Sequence, residues 1–342
     1  MLRTFLKKIL PWIVTAGIFV YLFSKYPPSS IWNSLKTVNI LYFCAVASGY
    51  FLFMYLLDAY VITKILNHFG HRETFKEMLS ARGLTYLIMV VNYAASQAAF
   101  AFYQKRKHNV PISEMLGIFG IIVVIDLAIL TALAFVTTFF TTWPFEMLGM
   151  NIGHFVRLFA LIVFAGFVVN ILFWKGTFGK ISFLEKMRKK DFFSVLSKAG
   201  VGDYLSVAFW RLPVHIFIMV GMYFAIKPFN ANVPFVSILA NIPLVFFIGA
   251  LPISPGGLGT SNAALVELFK PFITAGAIDA GFVTAGELLL SFSLVWMFAN
   301  YLMKALTGVI CLKFISKDLF KATTEVKEEV AIPDVAHLAD DL

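Results

Sequence analysis

The chain has 342 residues, 60% apolar and 14% charged, with a mean hydropathy of +0.83 and a net charge of +9. That is too little polar surface to coat a water-soluble globule, so the sequence describes a polytopic membrane protein. At about 20 apolar residues per spanning helix it supplies roughly six to eight membrane segments, leaving no room for a large soluble catalytic domain. Both cysteines, Cys44 and Cys311, sit inside apolar runs, so a disulfide framework, a zinc site and an iron–sulfur cluster have no cysteine ligands to build on. No metal and no cofactor is expected. From Ser316 onward three lysines face seven acids, a local charge of −4, which leaves +13 on the rest. The chain thus divides into a membrane-embedded domain, 1–315, and an acidic solvated tail, 316–342, with the composition of disorder. The basic residues of the body lie in loops between apolar segments, which excludes a nucleic-acid-binding domain.

The first apolar run, Ile9 to Phe23, follows Arg3, Lys7 and Lys8 and lacks a small-residue cleavage site after it. It reads as an uncleaved helix with a cytoplasmic N-terminus. Further runs cover 39–63, 83–103, 113–140, 152–174, 204–226, 233–250, 258–275 and 282–312. The second helix returns to the cytoplasm at Lys64, Arg72, Lys76 and Arg82. The run 83–103 is then followed at once by Lys105, Arg106 and Lys107, and one span cannot leave both of its ends inside. A re-entrant hairpin broken around Asn92 to Gln97 resolves the conflict, provided the broken backbone is buried in protein or lines a polar cavity. The loop beginning at Lys175 and ending near Lys198 is the most basic stretch and must be cytoplasmic. Its interleaved phenylalanines predict an interfacial amphipathic helix touching anionic lipid of the cytoplasmic leaflet over 175–198. Between 227 and 281 the only basic residues are Lys227 and Lys270, so a second hairpin, 233–275, enters from the opposite face. The final helix, 282–312, brings the C-terminus back inside.

The expectation is an all-α polytopic membrane protein with six full spans and two oppositely inserted re-entrant hairpins, eight membrane segments in all. Helix 39–63, hairpin 83–103 and helix 113–140 are repeated upside down by helix 204–226, hairpin 233–275 and helix 282–312, the architecture of a transporter. Ser96-Gln97-Ala98-Ala99 in the first hairpin is echoed by Ser261-Asn262-Ala263-Ala264 in the second. The most informative stretch is LPISPGGLGTSNAALVELF, 251–269. Pro252 and Pro255 remove two donors, and Gly256, Gly257 and Gly259 permit positive φ, so no helix continues through it. A new helix should begin at Thr260 or Ser261, either a suitable N-cap, which leaves a helix N-terminus inside the membrane as a site for phosphate or carboxylate.

The PISPGGLGTSNAALV segment resembles the second-half signature of the lysylphosphatidylglycerol synthase transmembrane-region family of flippase-like integral membrane proteins. The first-half stretch from Asn92-Tyr93-Ala94-Ala95-Ser96-Gln97 to Val110-Pro111-Ile112-Ser113 is similar to that family less closely. The resemblance implies lipid-linked work: moving or handling a phospholipid or polyprenyl-type lipid, sometimes beside a headgroup-modifying enzyme. Where the family places Arg-Glu after the glycines and Gly-Glu in the first half, this chain has Ser261-Asn262 and Ser96-Gln97, so a cationic lysyl-lipid is not the substrate it points to.

Ionisable residues within membrane helices are expensive and default to function. Arg211 and His215 lie four apart on one helix face, with Pro213 between them, and together suit a lipid phosphate. The alternative is a structural pairing of Arg211 with Asp58, Asp126 or Glu287, any of which could also take up a proton during transport. Arg157, Glu267 and Lys304 read as interfacial. The candidate lipid or anion site therefore comprises Asn92, Ser96, Gln97, Pro255, Gly256, Gly257, Gly259, Thr260, Ser261, Asn262, Arg211 and His215. Three function classes remain: a lipid transporter or flippase in the cytoplasmic (inner) membrane, a non-catalytic partner of a lipid-modifying enzyme, and a membrane-embedded lipid transferase. No phosphate-binding loop, HExxH or GxSxG motif supports the last, and no catalytic residue is assigned.

Overall fold

The computed structural model describes residues 2–91, 93–143, 146–147, 150–177, 194–250, 253–281 and 283–312. Asn92, most of the expected interfacial helix at 175–198 and the acidic tail lie outside the described residues. The chain is helical, with α1 (Leu2–Lys25), α2 (Pro28–Lys36), α3 (Ile40–His68), α4 (Phe75–Val91), α5 (Tyr93–His108), α6 (Ile112–Thr137) and α7 (Ile152–Trp174) in its first half. After the short α8 (Ser194–Lys198) come α9 (Val201–Ile226), α10 (Phe235–Ala250), α11 (Thr260–Phe269), α12 (Gly276–Asp279) and α13 (Ala285–Leu312). Two-residue strands, β1 (Glu146–Met147) with β2 (Met150–Asn151) and β3 (Ala231–Asn232) with β4 (Thr274–Ala275), pair antiparallel. By length and composition, five helices among the described residues can cross a membrane: α3, α6, α7, α9 with its extension to Phe229, and α13. Large side chains such as Leu41, Phe140, Phe209 and Phe298 are exposed on the outer faces, where an apolar solvent would meet them.

Helix starts follow local chemistry. Asn39 caps α3 by accepting from Tyr42 N at 3.0 Å, and Asn151 caps α7 by accepting from Gly153 N at 2.9 Å. α4 and α13 open with the same device: Thr74 with Glu77, and Thr284 with Glu287, three residues apart. Glu287 is thus spent on Thr284 N at 2.7 Å and stands apart from the other carboxylates expected to pair with Arg211.

α3 and α9 run antiparallel. His68 meets Asp203 at 2.8 Å at one end, and Asn39 N donates to Pro228 O at 2.9 Å at the other. α4 and α5 fold back on each other, so that Glu77 at the start of α4 pairs with Lys107 at the end of α5 at 2.8 Å. The hydrogen bond from Lys107 holds the Glu77 carboxyl down at about 2. α10 and α11 make a second helical hairpin whose open end is closed by the β3–β4 pairing of Ala231 with Ala275. At about 1.5 Å per residue, the 17-residue α4, the 16-residue α5 and α10 and the 10-residue α11 each fall short of a ~30 Å hydrocarbon core.

α13 shows how the hairpins are aimed. Gly83 of α4 sits on Cys311 and Leu87 sits on Gly308, so the first hairpin runs inward from the C-terminal end of α13. Asn262 of α11 bonds Ser293, while Lys270 lies over the ring of Tyr26, which itself packs on Gly286, so the second hairpin opens at the N-terminal end. The two hairpins therefore point their closed ends toward the middle of α13 from opposite directions. Ser96 and Gln97, expected within the break, already lie in α5, which begins at Tyr93.

The two largest apolar cores among the described residues follow the hairpins. One gathers Met219, Leu265, Val266, Phe269 and Leu288 around the second hairpin, and the other gathers Ile65, Met78, Phe100, Met115 and Ile118 around the first. The close contact of α4 with α13 depends on Gly83 and Gly308, small residues that let two backbones approach. A Cβ at Gly308 would lie 2.6 Å from Leu87 Cβ. Gly308→Leu is expected to cost about 1–3 kcal/mol of stability through overpacking. Gly17→Leu, with nothing within 4 Å, should leave the thermal unfolding midpoint in detergent unchanged.

Candidate functional site

Against the core of the first hairpin lies a cavity of about 230 Å³. α3, α4, α5, α6, α9 and α13 all contribute to it, and its wall carries Asp58, Arg82, Asp126, Arg211 and Lys304. Arg211 Nε and Nη2 donate to the two oxygens of Asp126, each at 2.7 Å, a planar two-point pairing. His215, one turn along α9, meets Asp126 Oδ1 at 2.8 Å through Nε2. Arg82 Nε donates to Asp58 Oδ2 at 2.8 Å, and Tyr86 donates its hydroxyl to the same oxygen at 3.0 Å. The two groups touch where Arg211 Nη1 comes within 3.9 Å of Asp58 Oδ1.

The structure thus brings together Arg211, His215, Asp126 and Asp58 from the expected set, with Arg211 paired to Asp126 on the cavity wall. Two expectations are corrected. Arg82, read as a cytoplasmic boundary charge, is buried at 6% exposure, because α4 begins at Phe75 and carries it two turns into the hairpin. Lys304, read as interfacial, lies on the cavity wall with Asn300 one turn before it. Among the described residues Lys304 has no hydrogen bond or ion pair, and it faces the ring of Tyr301 at 5.9 Å. Among the described residues, three basic side chains therefore line the cavity with two carboxylates.

The remaining candidates separate. Gln97 reaches the charged cavity, whereas Ser96 is fully buried one residue away. Gly256, Gly257, Ser261 and Asn262 line a second cavity of about 190 Å³ at the closed end of the second hairpin, with Trp296 and Tyr301 opposite. The N-cap of α11 is Gly259, one residue before Thr260, and not Thr260 or Ser261. The Asn262 amide oxygen accepts Gly259 N at 3.1 Å, and a glycine with φ of 81° makes that turn. Asn262 then donates to Ser293 at 3.1 Å, and Thr260 bonds Ser254 at 2.8 Å and Gly257 O at 3.1 Å, so both side chains hold the loop. The Pro255 backbone lies in the short 3-10 turn Pro255–Gly257.

Gly257 has φ of 77°, and a Cβ there would meet Ser261 Oγ at 2.7 Å and Gly249 O at 2.9 Å. Gly257→Leu is expected to insert and run as a single species on size exclusion while losing function, because the loop closing the second hairpin cannot keep its shape. Normal activity in that variant would remove this loop from the site.

The model of the lysylphosphatidylglycerol synthase TM region family matches residues 8–308, and the chain belongs to that family. No curated protein and no solved structure matches it. Family membership and the apolar spanning helices make this an integral membrane protein with a lipid-related role.

Proposed function

We propose that the protein translocates a phospholipid or other anionic lipid, holding the headgroup in the charged cavity between its two halves. The observation that carries this reading is that, among the described residues, Arg82, Arg211 and Lys304 share one cavity with the two carboxylates Asp58 and Asp126, where helices of both halves meet. A phosphate would supply the acceptor that Lys304 lacks and strengthen each donor in a low-dielectric setting. A 230 Å³ space suits a headgroup and not a whole lipid, so the acyl chains stay in the bilayer. The oppositely aimed hairpins support an inverted repeat, with α3, α4–α5 and α6 matched by α9, α10–α11 and α13 running the other way. Lys64, Arg72, Lys76, Lys105, Arg106, Lys107, Lys175 and Lys198 fall at the end where His68 meets Asp203, which makes that end cytoplasmic by the positive-inside rule.

The architecture is tested with single cysteines at Gln97 and Ser261 in a background lacking Cys44 and Cys311. Gln97 positions should label from the cytoplasmic face and Ser261 positions from the outer face. Labelling of both from one face would end the inverted-repeat reading.

A further inference from the structure

A second polar cluster lies away from the cavity, at the open end of the first hairpin. Glu73 lies two residues before α4, Glu77 lies in the first turn of α4, and His108 ends α5. One ligand atom from each of these three lies within 4.8 Å of the other two. The Glu73 side chain is 1% exposed, yet neither of its oxygens has a hydrogen-bond partner among the described residues, and neither does His108 Nε2. Gln104, fully buried one turn before His108, leaves both amide atoms without a hydrogen-bond partner among the described residues, and His71 Nε2 stands 3.5 Å from Glu114 Oε1, also short of a hydrogen bond. Orphaned buried polar atoms cost about 1–3 kcal/mol each, and this many in one place call for an occupant.

The spacing says which kind. Glu73 Oε2 and His108 Nε2 are 3.5 Å apart, too far for a hydrogen bond. That is about the edge of a tetrahedron whose ligands stand ~2.1 Å from a central ion. The loop is held in place from behind: Asn67 accepts from Glu73 N at 2.7 Å and donates to Glu73 O at 3.0 Å, which leaves the carboxylate to project forward. Imidazole nitrogen combined with carboxylate oxygen favours a borderline transition ion over calcium or magnesium, which prefer oxygen alone. We infer that Glu73, His108 and Glu77 form a site for a divalent transition-metal ion of the zinc class, with His71 beside it. Glu77 already accepts from Lys107 at Oε1 and from Thr74 at Oε2, so it is the weakest of the three ligands. The ion would fasten the loop entering α4 to the end of α5 and so lock the two legs of the first hairpin together. This site stands independently of the lipid reading.

The test uses the full chain purified without a polyhistidine tag, stripped with a chelator, loaded with zinc, desalted and analysed for metal by mass spectrometry. The wild type should retain about one zinc per chain, and Glu73→Gln and His108→Asn should retain none. Glu267→Gln, at the opposite end, should retain the wild-type amount. Zinc added to the stripped wild type should also raise its thermal unfolding midpoint, a readout that does not depend on how the variants fold. A wild type that retains no zinc and shows no shift, or variants that retain as much as the wild type, would overturn the inference.

Discussion

Asp126→Leu should be among the most damaging single substitutions in this protein, lowering stability by about 3–5 kcal/mol. Asp126 accepts both arms of Arg211 and the Nε2 of His215, so its loss removes the two-point pairing that offsets a guanidinium in the apolar interior and leaves Asp58 3.9 Å away. The cost arises from the uncompensated charge more than from the lost attraction. Removing Arg211 in the same background should therefore restore much of the stability, although not the function. Thermal unfolding of Asp126→Leu and of Asp126→Leu/Arg211→Leu checks this. A double variant as unstable as the sum of its single changes would mean that the pair is not the coupled unit its geometry describes.

Lys304→Gln should do the opposite: leave stability unchanged or slightly improved, and reduce lipid translocation by roughly 10- to 100-fold. A half-buried ammonium without an ion pair contributes little to holding the fold, since its desolvation is not offset. Its contribution appears when an anion arrives, and a charge-assisted hydrogen bond of about 1.5–3 kcal/mol corresponds to that range of rates. Measuring unfolding and lipid movement on one preparation separates the two effects. A variant that transports like the wild type would remove Lys304 from the headgroup site.

Much of the architecture could be read from charge and turn chemistry. The basic clusters on both sides of 83–103 demand a chain that doubles back, and the Pro-Gly run ends one helix and begins another. The unread parts have physical causes. Residues 75–82 look like a charged loop, but Thr74 and Glu77 form a capping pair that starts α4 early, and that start is what carries Arg82 into the interior. Lys304 lies two turns from the end of α13, where snorkelling is the usual outcome. Asn300, four residues before it, marks the same helix face as polar and was the available signal. Arg211 and His215 were legible because their four-residue spacing fixes them on one face, whereas their meeting with Asp126 spans 85 and 89 residues of chain and no local pattern encodes it. The grouping of Glu73 and Glu77 with His108 is non-local for the same reason.

The most direct measurement reconstitutes the protein in liposomes carrying a fluorescent phospholipid and follows its loss to a membrane-impermeant quencher, comparing an anionic with a zwitterionic headgroup. The anionic probe should cross faster than in protein-free vesicles and faster than the zwitterionic one, and Lys304→Gln should remove this advantage. An anionic probe crossing no faster than in protein-free vesicles would contradict lipid translocation, and headgroup binding without crossing would favour a non-catalytic partner of a lipid-modifying enzyme.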